Sequence, residues 1–354
     1  MFALDPFKVL LPAVVSFIIG IVIAPFVVRI LAHYKIWKKK GVSKTIDGKE
    51  ATITAALHND EEKKLLRMGG IVVWFSVFVT ALIFWIISKI YPASFTEKLG
   101  FISRNQTWLP LMGMFVGAIV GGIDDILVSR VNKIGTYIGG GLSFPFRLGV
   151  VAAMGLFAGF WFYFKLGVAT VYMPFYGPIF LGGLFFVLFF VLVTVAIFST
   201  SVIDGIDGLS GGIFAFVFSA YGAIAFIHNQ IDISALCFVI AGAIMAFLWF
   251  NVPPASFMMG ETGIMAILLA LSIIVFLTDS VMYLPIIAFP LVMTTVSVIL
   301  QLFWKKFFKR KLFLVAPLHH HFEAKGWQRP TIVMRYWIVS FMCALLGVVI
   351  ALVS

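Results

Sequence analysis

Ten stretches of this 354-residue chain stay apolar for about twenty residues at a time, and that repeated length decides the class of fold. They cover roughly residues 9–31, 69–91, 108–123, 146–166, 177–200, 209–228, 232–250, 262–280, 284–304 and 332–353. Each is close to the ~20 residues that a helix needs to cross a bilayer core. In hydrocarbon the backbone must satisfy its own hydrogen bonds, and these runs lack the alternation of barrel strands, so they read as helices. The expected fold is all-α: a polytopic integral membrane protein of about ten transmembrane helices, forming one transmembrane domain over 1–354. Composition agrees, with 62% hydrophobic residues and only 12% charged, about half the share in a soluble domain. The first run is too long for a cleavable signal peptide and lacks a clear small-residue cleavage site. Cys237 and Cys343 both fall in apolar segments, so neither a disulfide framework nor a zinc site is expected.

The basic residues are divided unequally between the two ends of these segments. Of the 26 lysines and arginines, 21 lie at or near the ends that follow the odd-numbered segments, and 5 lie on the other side. Most of the 21 fall in two loops, a charged one over 34–68 and a second over 305–331. The positive-inside rule places those ends in the cytoplasm and both chain termini outward. The formal net charge of +11 is thereby a matter of topology and of attraction for anionic headgroups or substrates, and does not point to nucleic acid.

Every polar cluster also falls on the expected cytoplasmic side. Gly121-Gly-Ile-Asp-Asp125 follows the third segment, and Ser201-Val-Ile-Asp-Gly-Ile-Asp-Gly-Leu-Ser-Gly-Gly212 follows the fifth. Asn251, Pro254-Ala255 and Met259-Gly-Glu-Thr-Gly263 follow the seventh, and Ala316-Pro-Leu-His-His-His-Phe-Glu323 follows the ninth. Taken singly, each has a plain structural reading. Asp204 and Asp207 suit a turn and a helix cap, Asn251 suits a cap, and Glu261 complements a helix dipole. Asp124 and Asp125 are harder to dismiss, because acids at a helix C-terminus oppose its dipole and intramembrane carboxylates are costly. His319, His320 and His321 are either an interfacial loop against headgroups or a set of groups aimed at phosphate or metal. Three adjacent imidazoles cannot share one helix face, and Pro317 is expected to prevent a regular helix through the stretch.

Together the clusters describe one active site open to the cytoplasm. Five acids suit a hard cation such as Mg²⁺, which takes a few carboxylates and keeps its other positions for water and phosphate. Glycine-rich turns let backbone amides approach phosphate. No GxxxxGK[ST] loop is present, which excludes a P-loop nucleotidase. The reaction class expected is metal-assisted phosphoryl transfer at a membrane surface.

Five motifs recur in a recognisable order: Gly122-Ile-Asp-Asp125, Asp204-Gly-Ile-Asp-Gly-Leu209, Asn251-x-x-Pro-Ala255, Met259-Gly-Glu-Thr-Gly263 and Ala316-Pro-Leu-His-His-His-Phe-Glu323. They resemble the polyprenyl-phosphate hexose-1-phosphate transferase superfamily. The tail from Ser297-Val-Ile-Leu-Gln301 through His319-His-His-Phe-Glu-Ala-Lys-Gly-Trp327 to Arg335-Tyr-Trp-Ile338 resembles, within it, the phospho-N-acetylmuramoyl-pentapeptide transferase family. The likeness covers most of 69–354. It implies transfer of phospho-N-acetylmuramoyl-pentapeptide from its UDP-activated form to undecaprenyl phosphate, giving lipid I and UMP with Mg²⁺, in a bacterial inner membrane. A homodimer is a further expected assembly.

Carried onto this chain, the resemblance makes Asp124, Asp125, Asp204, His319 and His320 the catalytic set, with Asp124 the base toward the lipid phosphate. It makes Glu261, with Asp124, Asp125 and Asp204, the metal ligands. Asp207, Asn251, Gly205, Ser201, Phe257, His321 and Lys64 complete the substrate-binding set. The chain departs from the family pattern at several positions. Ser201 stands for an Asn, Glu261 for an Asp, Ile264 for a Ser, Met258 for an aromatic beside Phe257, and Val128 for a Lys. Leu65-Leu-Arg-Met-Gly-Gly70 replaces a Thr-Pro-Thr-Met-Gly-Gly. The alternatives are a relative moving another sugar phosphate and a transporter or non-catalytic scaffold on the same fold. Polar residues gathered at one face rather than at mid-membrane speak against transport.

Overall fold

A computed structural model of the protein describes residues 4–37, 65–90, 99–103, 106–129 and 141–354. Among the described residues, ten helices are long and apolar enough to cross a membrane. They are α1 (Leu4–His33), α2 (Ile71–Ile90), α3 (Trp108–Ser129), α4 (Phe144–Trp161), α5 (Gly183–Ser199), α6 (Leu209–Ile227), α7 (Ile231–Asn251), α8 (Gly260–Leu277), α9 (Phe289–Phe308) and α10 (Arg329–Val353). The all-α polytopic class holds.

α8 is the buried centre, and α3 runs along it as its closest neighbour. Around this pair α1 packs on α2 and α7, α6 on α7 and α10, and α4 on α5. Apolar helices gain little by leaving lipid for one another, so close approach depends on small residues. α3 supplies them at every fourth position: Gly113, Gly117 and Gly121 lie against the Leu269, Met265 and Glu261 backbones of α8, with no room for a Cβ at Gly117 or Gly121. That stripe brings the Asp124–Asp125 end of α3 level with Glu261.

Four local expectations change. α3 continues past the expected end at residue 123 to Ser129, so Asp124 and Asp125 lie inside a helix and are buried rather than just after it. The helix survives because both carboxylates are paired, as described below. The segment expected at 177–200 begins instead in a hairpin: β1 (Thr170–Met173) pairs antiparallel with β2 (Gly177–Phe180), Thr170 opposite Phe180, before α5 starts at Gly183. The segment expected at 284–304 is broken. A single turn, Leu284–Ile287, ends at Ala288, and α9 restarts with Pro290 in its first turn, where a proline costs no hydrogen bond. Of α9, only Pro290, Leu291, Thr294, Thr295 and Ser297 are buried, so its second half stands off the bundle. Lastly, the histidine stretch is helical: Leu318–Ala324 forms a short helix capped by Pro317. The proline precedes the helix rather than interrupting it, and so does not block it.

Candidate active site

The acids meet where α3, α8 and the segment before α2 converge. Leu66 bridges to Phe257, while the Gly69 and Gly70 amides donate to the Met258 and Met259 carbonyls, both at 2.8 Å. This lays residues 65–70 along the approach to α8 and sets Arg67 beside α3. The Arg67 Nε donates to Asp125 Oδ1 at 3.1 Å, and the Thr262 amide donates to Asp125 Oδ2 at 3.0 Å. Thr262 in turn donates its hydroxyl to the Ala118 carbonyl and accepts from Trp74 Nε1, tying α2, α3 and α8 together.

Asp124 faces the other way. Its Oδ1 accepts from the Leu142 amide at 2.5 Å, and its Oδ2 lies 3.9 Å from an Arg147 guanidinium nitrogen. The same nitrogen is 2.7 Å from Glu261 Oε1. Arg147, near the start of α4, therefore bridges the acids of two other helices. Glu261 Oε2 and Arg147 Nε are buried without a hydrogen-bond partner.

Asp204 follows a 3₁₀ turn over Thr200–Ile203 and precedes α6. Its Oδ1 accepts from Ser210 Oγ at 2.8 Å and its Oδ2 from the Gly260 amide at 3.2 Å. Burial pushes its carboxyl above the usual range, against the lowering pull of those two bonds. Gly260 has φ +70° and abuts Asp125 Oδ2, so no other residue fits between the two acids without strain. Asp124, Asp125, Glu261 and Asp204 thus form one floor, held by Arg67, Arg147 and backbone amides.

The histidine helix closes the other side. The Leu318 amide donates to Ser297 Oγ on α9 at 3.0 Å, and the Gln301 side chain holds Leu312 and Phe313, so α9 carries the helix. His319 is fully buried, 4.3 Å ring to ring from His320, and neither of its nitrogens has a partner. Burial, helped by His320, drives its pKa down to about 3, so it is held neutral. A Cβ at Gly205 would stand 2.7 Å from His319 Nε2 and 3.0 Å from His320 Nε2. Both imidazoles converge on the backbone beside Asp204. His321 points elsewhere: its Nδ1 accepts from the Leu314 amide at 3.2 Å, and its ring meets Phe313 edge-on. Burial, then Lys325, lowers its pKa.

The expected site residues divide accordingly. Asp124, Asp125, Asp204, Gly205, Glu261, His319 and His320 come together. Asp207 and Ser201 lie half-buried in the same 201–208 loop. Asp207 does not cap α6; Gly208 takes that position. Asn251 is spent on the fold, its Oδ1 accepting from Gly208 N and its Nδ2 donating to the Phe257 carbonyl. Phe257, expected beside a nucleoside, is fully buried and stacked on Phe247 at 5.4 Å, so it offers no ring face for a base. Lys64 lies outside the described residues. Three residues escaped the sequence reading: Arg67, Arg147 and Glu323. Arg67 and Glu323 each had a local signal: Arg67 interrupts an apolar run just before Met68-Gly-Gly70, and Glu323 closes the histidine motif three residues after His320.

Chemically, the floor is a set of hard oxygen donors facing two imidazoles. Among the described residues no three His, Cys, Asp or Glu side chains lie close enough to hold a metal as they stand. The donor set nonetheless suits a hard cation. Asp124 and Glu261 already share one positive charge, and Glu261 Oε2 is a buried acceptor still lacking a donor.

Residues 107–281 match the Glycosyl transferase family 4 family. The chain is 32% identical to a phospho-N-acetylmuramoyl-pentapeptide-transferase of Chlorobium phaeobacteroides strain BS1 over 312 residues, 80% of this chain and 79% of that one. It is 28% identical to the one of Chloroflexus aurantiacus over 363 aligned positions, 99% of this chain and 91% of the relative. For the one of Pelagibacter ubique the figure is 30%, over 79% of this chain and 78% of the relative. The family match spans α3, α8 and the acids on them, and on the likeness to relatives so named the chain belongs to the phospho-N-acetylmuramoyl-pentapeptide transferase family, a family of phospho-sugar transferases.

Proposed function

We propose that the protein transfers phospho-N-acetylmuramoyl-pentapeptide from its UDP-activated form to undecaprenyl phosphate, giving lipid I and UMP in peptidoglycan synthesis at the bacterial inner membrane. The observation that carries this reading is that Asp125 and Asp204 meet at Gly260 and two imidazoles meet at Gly205 beside Asp204, while Arg147 joins Asp124 to Glu261 alongside. The two glycines let the acids and imidazoles pack this closely, and the imidazoles supply nitrogens for a diphosphate on one side of the acids. Asp124 is the acceptor for a proton from the lipid phosphate, with the Leu142 amide fixing one of its oxygens. Asp204 borders the same space from the far wall.

Mg²⁺ fits this site through Glu261 and Asp124, whose oxygens are least committed, with Asp125 and Asp204 alongside. When bound, it neutralises charge on the phosphates. The residues themselves orient: Arg67 fixes Asp125, Arg147 holds Glu261 towards Asp124, and the Gly260 amide turns Asp204 inward. Purified protein given undecaprenyl phosphate and radiolabelled UDP-muramoyl-pentapeptide should release UMP and form lipid I, and EDTA should abolish both. Release of UMP only from a UDP-N-acetylhexosamine would replace the substrate, and full turnover in EDTA would remove the metal. The basic asymmetry further supports a cytoplasmic site with outward termini. Reporter fusions at Ser129 and Gly326 should therefore read one side and those at Ser103 and Asn229 the other.

A further inference from the structure

The histidine helix contains a second feature, built into its spacing. His320 and Glu323 are three residues apart and so share a face, and His320 Nδ1 lies 2.9 Å from Glu323 Oε2. The other oxygen, Glu323 Oε1, accepts from Arg329 Nε at 2.6 Å; Arg329 is the first residue of α10. One carboxylate therefore links the histidine helix to the next span, and each of its oxygens has a set partner. We propose that Glu323 is a positioning residue for His320: it accepts a hydrogen bond from the Nδ1–H, keeping that proton on Nδ1, and leaves Nε2 turned towards Gly205. This inference rests on the proposed function for what Nε2 then meets, a phosphate oxygen of the substrate.

The geometry fixes the direction. Burial pushes the Glu323 carboxyl up, but the bonds from His320 and Arg329 outweigh it and hold it at about 2. An ionised carboxylate only accepts, so the nitrogen facing it must donate, and the tautomer of His320 follows. Its Nε2 would lie 3.0 Å from a Cβ at Gly205, on the same side as His319 Nε2. His319 has no such orienting partner, since both of its nitrogens stand alone. The two imidazoles are thereby unequal: one arrives with its proton placed, the other takes its tautomer from whatever binds. Orienting carboxylates on a working histidine are costly to lose elsewhere, because the ring then settles in the wrong tautomer.

The experiment pairs kinetics with ¹⁵N-histidine NMR of the detergent-solubilised full chain. In the wild type the His320 proton should sit on Nδ1. Glu323→Gln, whose amide can donate as well as accept, should move it off Nδ1 and lower kcat about ten- to a hundredfold, with KM for the UDP substrate little changed. Glu323→Asp keeps a carboxylate and should recover part of both, and it serves alone should the Gln variant not fold. In a His320→Ala background, Glu323→Gln should cost nothing further. An Nδ1 proton that stays in Glu323→Gln, or losses that simply add in the double variant, overturns the proposal. If wild-type protein releases no UMP from the muramoyl substrate, the functional reading fails instead. The NMR result needs no substrate and still decides the tautomer.

Discussion

The acidic floor and the histidine helix border the same space and treat their polar groups in opposite ways. On the floor most carboxylate oxygens are engaged: Asp125 by Arg67 and the Thr262 amide, Asp204 by Ser210 and Gly260, Asp124 by Leu142, with Glu261 Oε2 the buried exception. Across from it, His319 is just as buried and has both nitrogens idle. An unmade hydrogen bond in a buried place costs about 1–3 kcal/mol, so a fold does not leave two at one residue without a use. The difference separates two tasks. The floor is assembled in advance by the protein's own cations and amides, and the histidine side keeps bonding capacity for a ligand. Their scaffolds differ to match. The floor rests on the glycine-packed α3–α8 pair, while the histidine helix hangs from α9, which is held at one end only.

The largest expected effect breaks the floor. Asp124→Asn keeps the shape and the bond from Leu142 but removes the charge and the basic oxygen. It should lower kcat by about 10²–10⁴-fold, the range typical of a lost general base. Lipid I synthesis at saturating substrate measures it, with thermal unfolding as the control for folding. A variant retaining most of the wild-type kcat would move the base to another residue.

Much of this was legible in the chain, and the failures have particular causes. Ten spans follow from segment length, because the bilayer fixes it. The acids and histidines were found because a carboxylate or imidazole cluster stands out in an apolar sequence. Arg67 and Arg147 were not, since a basic residue at a helix end reads first as topology; only the fold reveals that Arg147 of α4 reaches Glu261 of α8. Phe257 looked like a stacking platform because it adjoins the motif, and only packing turns it towards Phe247. α3 outruns its apolar stretch because Asp125 is paired, and the guanidinium that pairs it lies 58 residues away in the chain. The break before α9 has a signal in Pro290, whose missing amide cannot bond back across Ala288 to Ile286, but the unbroken apolarity of the run hides it.

A smaller effect sharpens the histidine half. His319→Ala removes two unsatisfied nitrogens along with the ring, so the lost packing is offset and stability should stay near wild type. If His319 meets the diphosphate, each charge-assisted bond lost is ~1.5–3 kcal/mol, and kcat/KM should fall about ten- to a hundredfold. His321→Ala should cost less activity, because its Nδ1 is already taken by the Leu314 amide. Equal losses at the two positions would erase the distinction between an idle imidazole and an occupied one.

The smallest effect tests the same contrast through protons, without substrate. Asp204 has its folded pKa raised by burial. A raised carboxyl contributes stability that is complete below the ordinary Asp value of about 3.9 and is lost as pH rises through the folded value. At pH 7 its charge is therefore a burden, and Asp204→Asn should melt above wild type, the gap closing towards pH 4. Glu323 has the opposite sign: burial raises it, but His320 and Arg329 bring it down to about 2. Its contribution is present above the ordinary Glu value of about 4.3 and fades as pH falls towards the folded value. Glu323→Gln should melt below wild type at pH 7, with the deficit shrinking in acid. Plotted as differences in Tm between pH 2 and 8, the two variants should approach zero from opposite sides, Asp204→Asn already near pH 4 and Glu323→Gln only near pH 2. Curves of the same sign would show that the two carboxylates, one on each wall, are held by the same balance of burial and pairing.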